Sequence, residues 1–356
     1  MELLYTKEVK WLDEWDNYLI ENDLGSHLLY SNWLKSYTTY GFDYEILILK
    51  NKDKIIGGFG AVLAKSLFFK FYIVPHGPIV SLGYEKELDK IIASLKDRAK
   101  KLNCCYVQYS LPLSNDTLIE KQTYSHEVLK SINNLGKKGN LFKYVYSSYG
   151  INWVDFNTNN TADELLLQLS SQVRRNINLS YKNNAIIEFA STEKECREAY
   201  ALIKENAKEG GYAVRSFDDF KETIVEMIAK GTAFLMTAKV GDKIKGSAFF
   251  VKSGNYFTYI SGGTKKEKPD MKIGYLLHWE IIKKSFQSGF SGYNISMGGS
   301  KGVVEFKAKF NTKALLFEAP HYHFILSPLL FKIYLILNSI FVKNKKTVSV
   351  LLKRFK

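Results

Sequence analysis

Cysteine is nearly missing from this chain: Cys104, Cys105 and Cys196 are its only three among 356 residues. They have neither metal-site spacing nor the even number of a disulfide framework, which fits structural thiols in a reducing compartment. No Walker loop and no His-Glu-x-x-His pair occurs, so phosphate hydrolysis and zinc chemistry lack a signature. The first residues carry no basic stretch leading into a long apolar one, so a cytoplasmic location is expected. The apolar stretch near the C-terminus is interrupted by Lys332, Asn338 and Ser339, which argues against a spanning helix.

What the chain does have is a pattern that occurs twice, about 189 positions apart. Residues 44–50 form an apolar run, followed by a polar turn, then Asp53-Lys54-Ile55-Ile56-Gly57 and a second apolar run to Val62. Residues 232–239, a turn, then Asp242-Lys243-Ile244-Lys245-Gly246 and the run to Val251 repeat it. Each copy reads as two strands around a tight turn. An aromatic strand running into glycine follows in both, at 71–77 and 257–263. A helix and a further strand come next, at 84–102 and 106–110, then at 274–288 and 293–297. A period this long implies duplicated domains, not a solenoid.

At this length two domains are expected, and 46% hydrophobic residues are ample for two cores. The expected class is α+β: two tandem N-acetyltransferase-like domains, each a mixed, mostly antiparallel sheet flanked by helices. The division predicted is 1–150, 151–328 and a basic C-terminal helical tail, 329–356. Helices are predicted around Trp11 to Leu19 and over 31–40 with Ser31 as N-cap. A strand is expected over 142–146, and a helix begins at the capping pattern Thr161-Ala-Asp-Glu164. The basic stretch from Arg174 and Arg175 to Lys182 reads as a solvated helix face, or as a phosphate clamp if a cleft opens beside it. In the tail, Leu329, Leu330, Ile333, Leu337, Ile340 and Phe341 recur at helical spacing before Lys343, Lys345, Lys346, Lys353, Arg354 and Lys356. Either this helix lies on an anionic membrane surface or it packs back onto the second domain. The formal charge of +14 fits a polyanion, an anionic membrane or a phosphorylated substrate as partner, and fits solubility alone.

The remaining chemistry is direct acyl transfer, in which an amine is positioned against an activated acyl group and the tetrahedral oxyanion is stabilised. The stretch from Met297-Gly298-Gly299 through Lys307 to Phe310 suits it. Glycines after a strand let substrate approach the backbone, and a lysine among aromatics can aim its ammonium inward. Lys307 on these grounds alone could equally be a surface lysine.

Several motifs make the chain similar to the FemABX family of peptidoglycan interpeptide-bridge aminoacyltransferases. Ser31-Asn-Trp33-Leu-Lys35 resembles the family's Trp-x-Lys element. Residues 71–78 resemble its first-domain strand ending in Gly-Pro, Glu209 to Arg215 a segment ending in arginine, and Phe306-Lys307-Ala-Lys-Phe310 its Phe-Lys-x-x-Phe motif. The resemblance covers most of residues 1–335. It implies two side-by-side N-acetyltransferase-type domains and transfer of an amino acid from aminoacyl-tRNA to a nucleotide- or lipid-linked cell-wall precursor. By the same resemblance Lys35 and Arg215 contact the precursor's phosphates, Lys307 serves the transition state, and Tyr259, Gly298 and Gly299 border the substrate. The donor is then aminoacyl-tRNA, with no tightly bound cofactor and no metal. The chain departs from the family in having Ser296-Met297 before the glycine pair, Ser110 at the end of the first-domain strand and His321 where some relatives are acidic.

Two other readings stand beside this one. An acyl-coenzyme A N-acyltransferase acting on an amino sugar of a surface polysaccharide would use the same fold. The helix from Asp270 carries only Gly274, where coenzyme A enzymes have a glycine-rich loop for the pyrophosphate. A basic protein binding nucleic acid or membrane without catalysis is the other. His76 and His321 are candidates for a general base.

Overall fold

The computed structural model describes residues 1–157, 159 and 161–343. The two repeated turns are hairpins. Strand β1 (Glu2–Thr6) leads through α1 (Val9–Glu21) and α2 (Ser31–Lys35) to the first hairpin, β2 (Asp43–Asn51) and β3 (Lys54–Ser66). Strand β4 (Phe69–Val74) lies antiparallel to β3. After β5 (Ile79–Val80), helix α3 (Leu88–Lys101) crosses over to β6 (Tyr106–Ser110), which lies parallel to β4.

The second half repeats that order. After β7 (Lys137–Lys138), a strand of the first sheet, it opens with β8 (Gly150–Asp155), α4 (Ala162–Gln168), α5 (Ser171–Lys182), β9 (Ile186–Phe189), α6 (Glu193–Glu209) and α7 (Phe217–Ala229). Its hairpin is β10 (Ala233–Val240) with β11 (Lys243–Ser253). Strand β12 (Tyr256–Thr264) is antiparallel to β11, and α8 (Ile273–Gln287) crosses to β13 (Gly292–Asn294), parallel to β12. Each hairpin even has its register shift at the same place, beside the turn, at Leu49/Lys50 and at Ala238/Lys239. A parallel pair needs a crossover of about a dozen residues or more, and each half uses a helix for it. The fold is thus α+β, with two mixed, mostly antiparallel sheets flanked by helices.

After α9 (Lys301–Ala308) and β14 (Lys313–Leu316), the chain returns to the first sheet. Strand β15 (His321–Ile325) pairs antiparallel with β6, giving the order β1-β2-β3-β4-β6-β15-β7, while the second sheet runs β14-β8-β13-β12-β11-β10-β9. Residues 321–325, placed in the second domain by the sequence, therefore complete the first sheet. Tyr322 stacks on Tyr109 with ring centroids 5.6 Å apart, and a five-residue strand carries no sign of which sheet edge it will join. Helix α10 (Pro328–Lys343) follows it and packs on the first sheet rather than on the second domain. Phe331 stacks on Tyr106 at 4.6 Å, and Tyr334 meets Phe71 at 4.6 Å. The basic residues beyond Lys343 lie outside the described residues.

Two local expectations change. Residues 142–146 form no strand, because the Leu141 and Phe142 N–H groups donate to Tyr106 and Gln108 side chains at 2.9 and 3.3 Å instead of to a ladder. Ser31 lies inside α2 and not at its cap, and its hydroxyl donates to the Asp16 carboxylate at 2.6 Å. Residues 36–40 continue as a 3-10 turn.

The halves share one core. Trp15, Leu34 and Ile46 belong to the same buried cluster as Phe220, Ile224 and Phe249. Thr223 donates to the Asn32 carbonyl at 3.0 Å, and Tyr256 to the Gly25 carbonyl at 2.8 Å. Gly292 fixes where β13 lies, since a Cβ there would meet Trp153 at 2.2 Å. Gly292→Ala is expected to destabilise the fold by about 1–3 kcal/mol through overpacking, read as a lower urea midpoint at unchanged slope.

Candidate active site

The loop after β13 is built around a buried ammonium. Ser296, Gly298 and Gly299 have φ of +64°, +74° and +119°, a left-handed curl that only glycine enters freely. The curl turns the Ser296 and Gly298 carbonyls onto Lys307 Nζ, at 3.0 and 3.1 Å, with Ser296 Oγ at 3.2 Å. All three ammonium hydrogens thus have an acceptor. At Gly299 a Cβ would stand 2.6 Å from Val303, so the bend cannot carry a side chain without moving α9. Lys307 is 4% exposed, and burial pulls its pKa down to about 8.

Around this lysine the second half forms a cavity of about 400 Å³, bounded by β11, β12, the start of α8 and Phe306. The Tyr259 ring centroid lies 5.8 Å from Lys307 Nζ. His278 Nδ1 is 3.0 Å from the Tyr293 hydroxyl, and burial, with the nearby Lys307 charge, holds its pKa down to about 3. It is a neutral side wall. At the mouth, Asp270 Oδ1 accepts the Lys272 N–H at 2.9 Å, which puts a carboxylate beside the first turn of α8.

The structure thus brings Lys307, Tyr259 and Gly298 together, with Gly299 at the bend beside them, and it places Lys35, on α2, and Arg215, just before α7, elsewhere. Arg215, in the turn before α7, donates to Ser36 Oγ and lies over the rings of Tyr37 at 4.7 Å and Phe220 at 4.9 Å. Lys35 is paired with Glu222 at 3.3 Å and Glu226 at 3.9 Å, both on α7.

A narrow crevice lies where the halves meet, walled by Ser26, His27 and His76 from one half and by Thr258, Asn294 and Ser296 from the other. Ser296 therefore belongs both to the crevice and to the cage of Lys307. His76 Nε2 is 2.9 Å from the Leu24 carbonyl. A carbonyl only accepts, so the proton sits on Nε2 and Nδ1 keeps a lone pair, which has no partner among the described residues. Burial holds the imidazole pKa down to about 4, so it is neutral at pH 7. His321 lies opposite Ser110 in the β6–β15 ladder.

Sequence reasoning did not find Glu222, Glu226 or His278, because charged and aromatic positions on amphipathic helices look like ordinary faces. Arg174 donates to the Leu167 and Leu169 carbonyls at the end of α4 and lines an open hollow with Arg175 and Lys182. Residues 298–302 also have the Gly-x-Ser-x-Gly spacing of a nucleophile elbow. Ser300, however, has an ordinary φ of −64° at the start of α9 and is exposed, without the strain that marks such an elbow.

Two repeated α+β halves, with a glycine loop closing over a buried lysine beside a cavity, are the frame of the site. The FemAB family model matches residues 11–241, and the chain belongs to the FemAB family. No curated protein sequence matches it. Among solved structures, FemX superimposes with a TM-score of 0.75 at 14% identity, covering 94% of this chain and 99% of that one. The C-terminal domain of a putative lysylphosphatidylglycerol synthetase from Agrobacterium fabrum gives 0.54 at 9% identity, over 93% and 96%. L-PGS from Bacillus licheniformis gives 0.53 at 10%, over 94% and 97%.

Proposed function

We propose that this acyltransferase moves an aminoacyl group from aminoacyl-tRNA to an amine of a nucleotide- or lipid-linked peptidoglycan precursor, at the cytoplasmic face of the membrane. The observation that carries the reading is the caged Lys307, which lines the cavity and bonds Ser296 of the crevice wall. The donor's acyl end would enter the cavity, and the acceptor amine would come through the crevice. Its nitrogen forms a bond to the ester carbonyl carbon, the bond to the tRNA ribose oxygen breaks, and the proton lost by the amine ends on that oxygen. The Lys307 ammonium would give up its Ser296 Oγ contact and donate to the oxyanion. His76 Nδ1, a neutral acceptor in the crevice, would orient the attacking amine.

Lys35 and Arg215 would hold the acceptor's diphosphate, Arg215 through its fork and Lys35 as a point charge. Lys35 must then leave Glu222 and Glu226. Glu222→Gln with Glu226→Gln is expected to lower KM for a diphosphate-bearing acceptor by up to about fivefold, the scale of an exposed ion pair. An unchanged or higher KM in steady-state assays would count against Lys35 as a phosphate contact.

One observation favours a second reading with acyl-coenzyme A as donor: the first turn of α8 opens on the cavity, and a helix N-terminus suits a pyrophosphate. The Asp270 carboxylate at that turn opposes it. Purified protein given a nucleotide-linked muropeptide, with labelled aminoacyl-tRNA in one tube and labelled acetyl-coenzyme A in another, separates the two. Label moving only from coenzyme A overturns the aminoacyl reading. An anionic membrane surface is the further partner of this proposal.

A further inference from the structure

The surface around α10 is apolar where a water-facing helix should be polar. Phe331 and Tyr334 point into the first sheet, yet the opposite face presents Leu329, Leu330, Ile333 and Ile336, with Leu329 71% and Ile336 52% exposed. Beside it projects the tip of the β3–β4 hairpin, where Leu67 and Phe68 are 75% and 66% exposed. Leu67 has φ +53°, a turn position that glycine or asparagine would hold with less strain. Tyr144, from the irregular segment before β8, joins them through its hydroxyl, which donates to Asn338 on α10. The three segments are one surface, because Phe69 and Phe142 both pack on Tyr334, at 5.6 and 6.2 Å between centroids.

Its charge is of one sign. The hairpin tip is flanked by Lys65 and Lys70, paired across the two strands. Lys143 adjoins Tyr144 and Lys332 lies on α10. Residues 54–84, 128–154 and 319–343, from which the surface is drawn, contain no Asp or Glu at all. Exposed apolar side chains rimmed mainly by lysine, with the Asp43 carboxylate near Lys65 already paired to Lys7 at 2.6 Å, fit an anionic lipid surface, into which the apolar groups insert while lysines meet headgroups. A second copy of the chain fits poorly, since it would set lysines against lysines. Among the described residues no helix is long and apolar enough to cross a membrane, so contact would be from one side.

We propose that the outer face of α10, the Leu67-Phe68 hairpin tip and Tyr144 form a docking surface for an anionic bilayer, on the first of the two sheets. This deepens the membrane partner of the function proposed above and rests on it only for which membrane face is met. The binding test needs no acyl donor or acceptor, so its result stands apart from that of the transfer assay.

The full chain is sedimented with vesicles of phosphatidylcholine alone or of equal parts phosphatidylcholine and phosphatidylglycerol. Binding is expected to the mixed vesicles only and to weaken with salt. Leu67→Ser with Phe68→Ser, and separately Ile333→Ser with Ile336→Ser, are each expected to weaken it about tenfold or more. Lys65→Gln and Lys332→Gln are expected to cost about fivefold each. Thermal melts and circular dichroism of the variants show that the fold is kept, as expected for exposed positions. No binding to the mixed vesicles, or equal binding to neutral ones, overturns the proposal. So does binding that survives both double substitutions, which assigns it to residues 344–356, or a dimer in sedimentation velocity that the same substitutions dissolve.

Discussion

Lys307→Ala is expected to lower turnover by roughly 100- to 1,000-fold, the usual effect of removing one oxyanion donor, with a much smaller change in KM for either substrate. The wild-type pH profile gives an independent check. Because burial sets the Lys307 pKa at about 8, the ammonium is lost as pH rises through that value, and kcat/KM is expected to fall there. Stability from this group should move the other way. The unfolded lysine binds its proton up to its ordinary value near 10.5 while the folded one releases it near 8. Between those values the unfolded state holds more protons, so stability rises with pH. A fall in activity above pH 8 without a fall in melting temperature therefore identifies loss of the ammonium, not unfolding. If Lys307→Ala keeps its turnover, the three hydrogen bonds to Ser296 and Gly298 only hold the loop, and the lysine is structural.

How far the sequence discloses this molecule follows from the range of the forces involved. The duplication is legible because each half encodes its hairpin locally, in an apolar run, a polar turn and a second run, and both hairpins formed where that pattern placed them. The crossover helices are legible for the same reason. The return of β15 to the first sheet is not, since a strand's choice of edge depends on residues more than 200 positions away, such as Tyr106 to Ser110. Within the site, the curl at Ser296 to Gly299 is announced by its glycines, and the inward ammonium by the aromatics around Lys307. The ion pairs of Lys35 are hidden, because Glu222 and Glu226 are spaced like any solvent-facing pair on a helix. The crevice is hidden as well, because it exists only where two halves meet, and no single segment contains it.

Arg215→Ala is expected to raise KM for a diphosphate-bearing acceptor by about 10- to 100-fold, the scale of a charged hydrogen bond, with kcat little changed. Arg215→Lys should recover little of this. The guanidinium lies over the Tyr37 and Phe220 rings, 4.7 and 4.9 Å from their centroids, and an ammonium offers neither a planar face for them nor a two-pronged donor. Lys35→Ala should do less harm, since Lys35 is 46% exposed and already neutralised by Glu222 and Glu226. The deciding comparison is an acceptor fragment that keeps the reactive amine but lacks the diphosphate. If Arg215 binds phosphate, wild type and Arg215→Ala should handle that fragment alike, and the gap in KM should open only when the diphosphate is restored. If the substitution instead lowers kcat on both acceptors, Arg215 acts by holding α7 against Tyr37 and Trp33. A diphosphate would then have to be held by other residues.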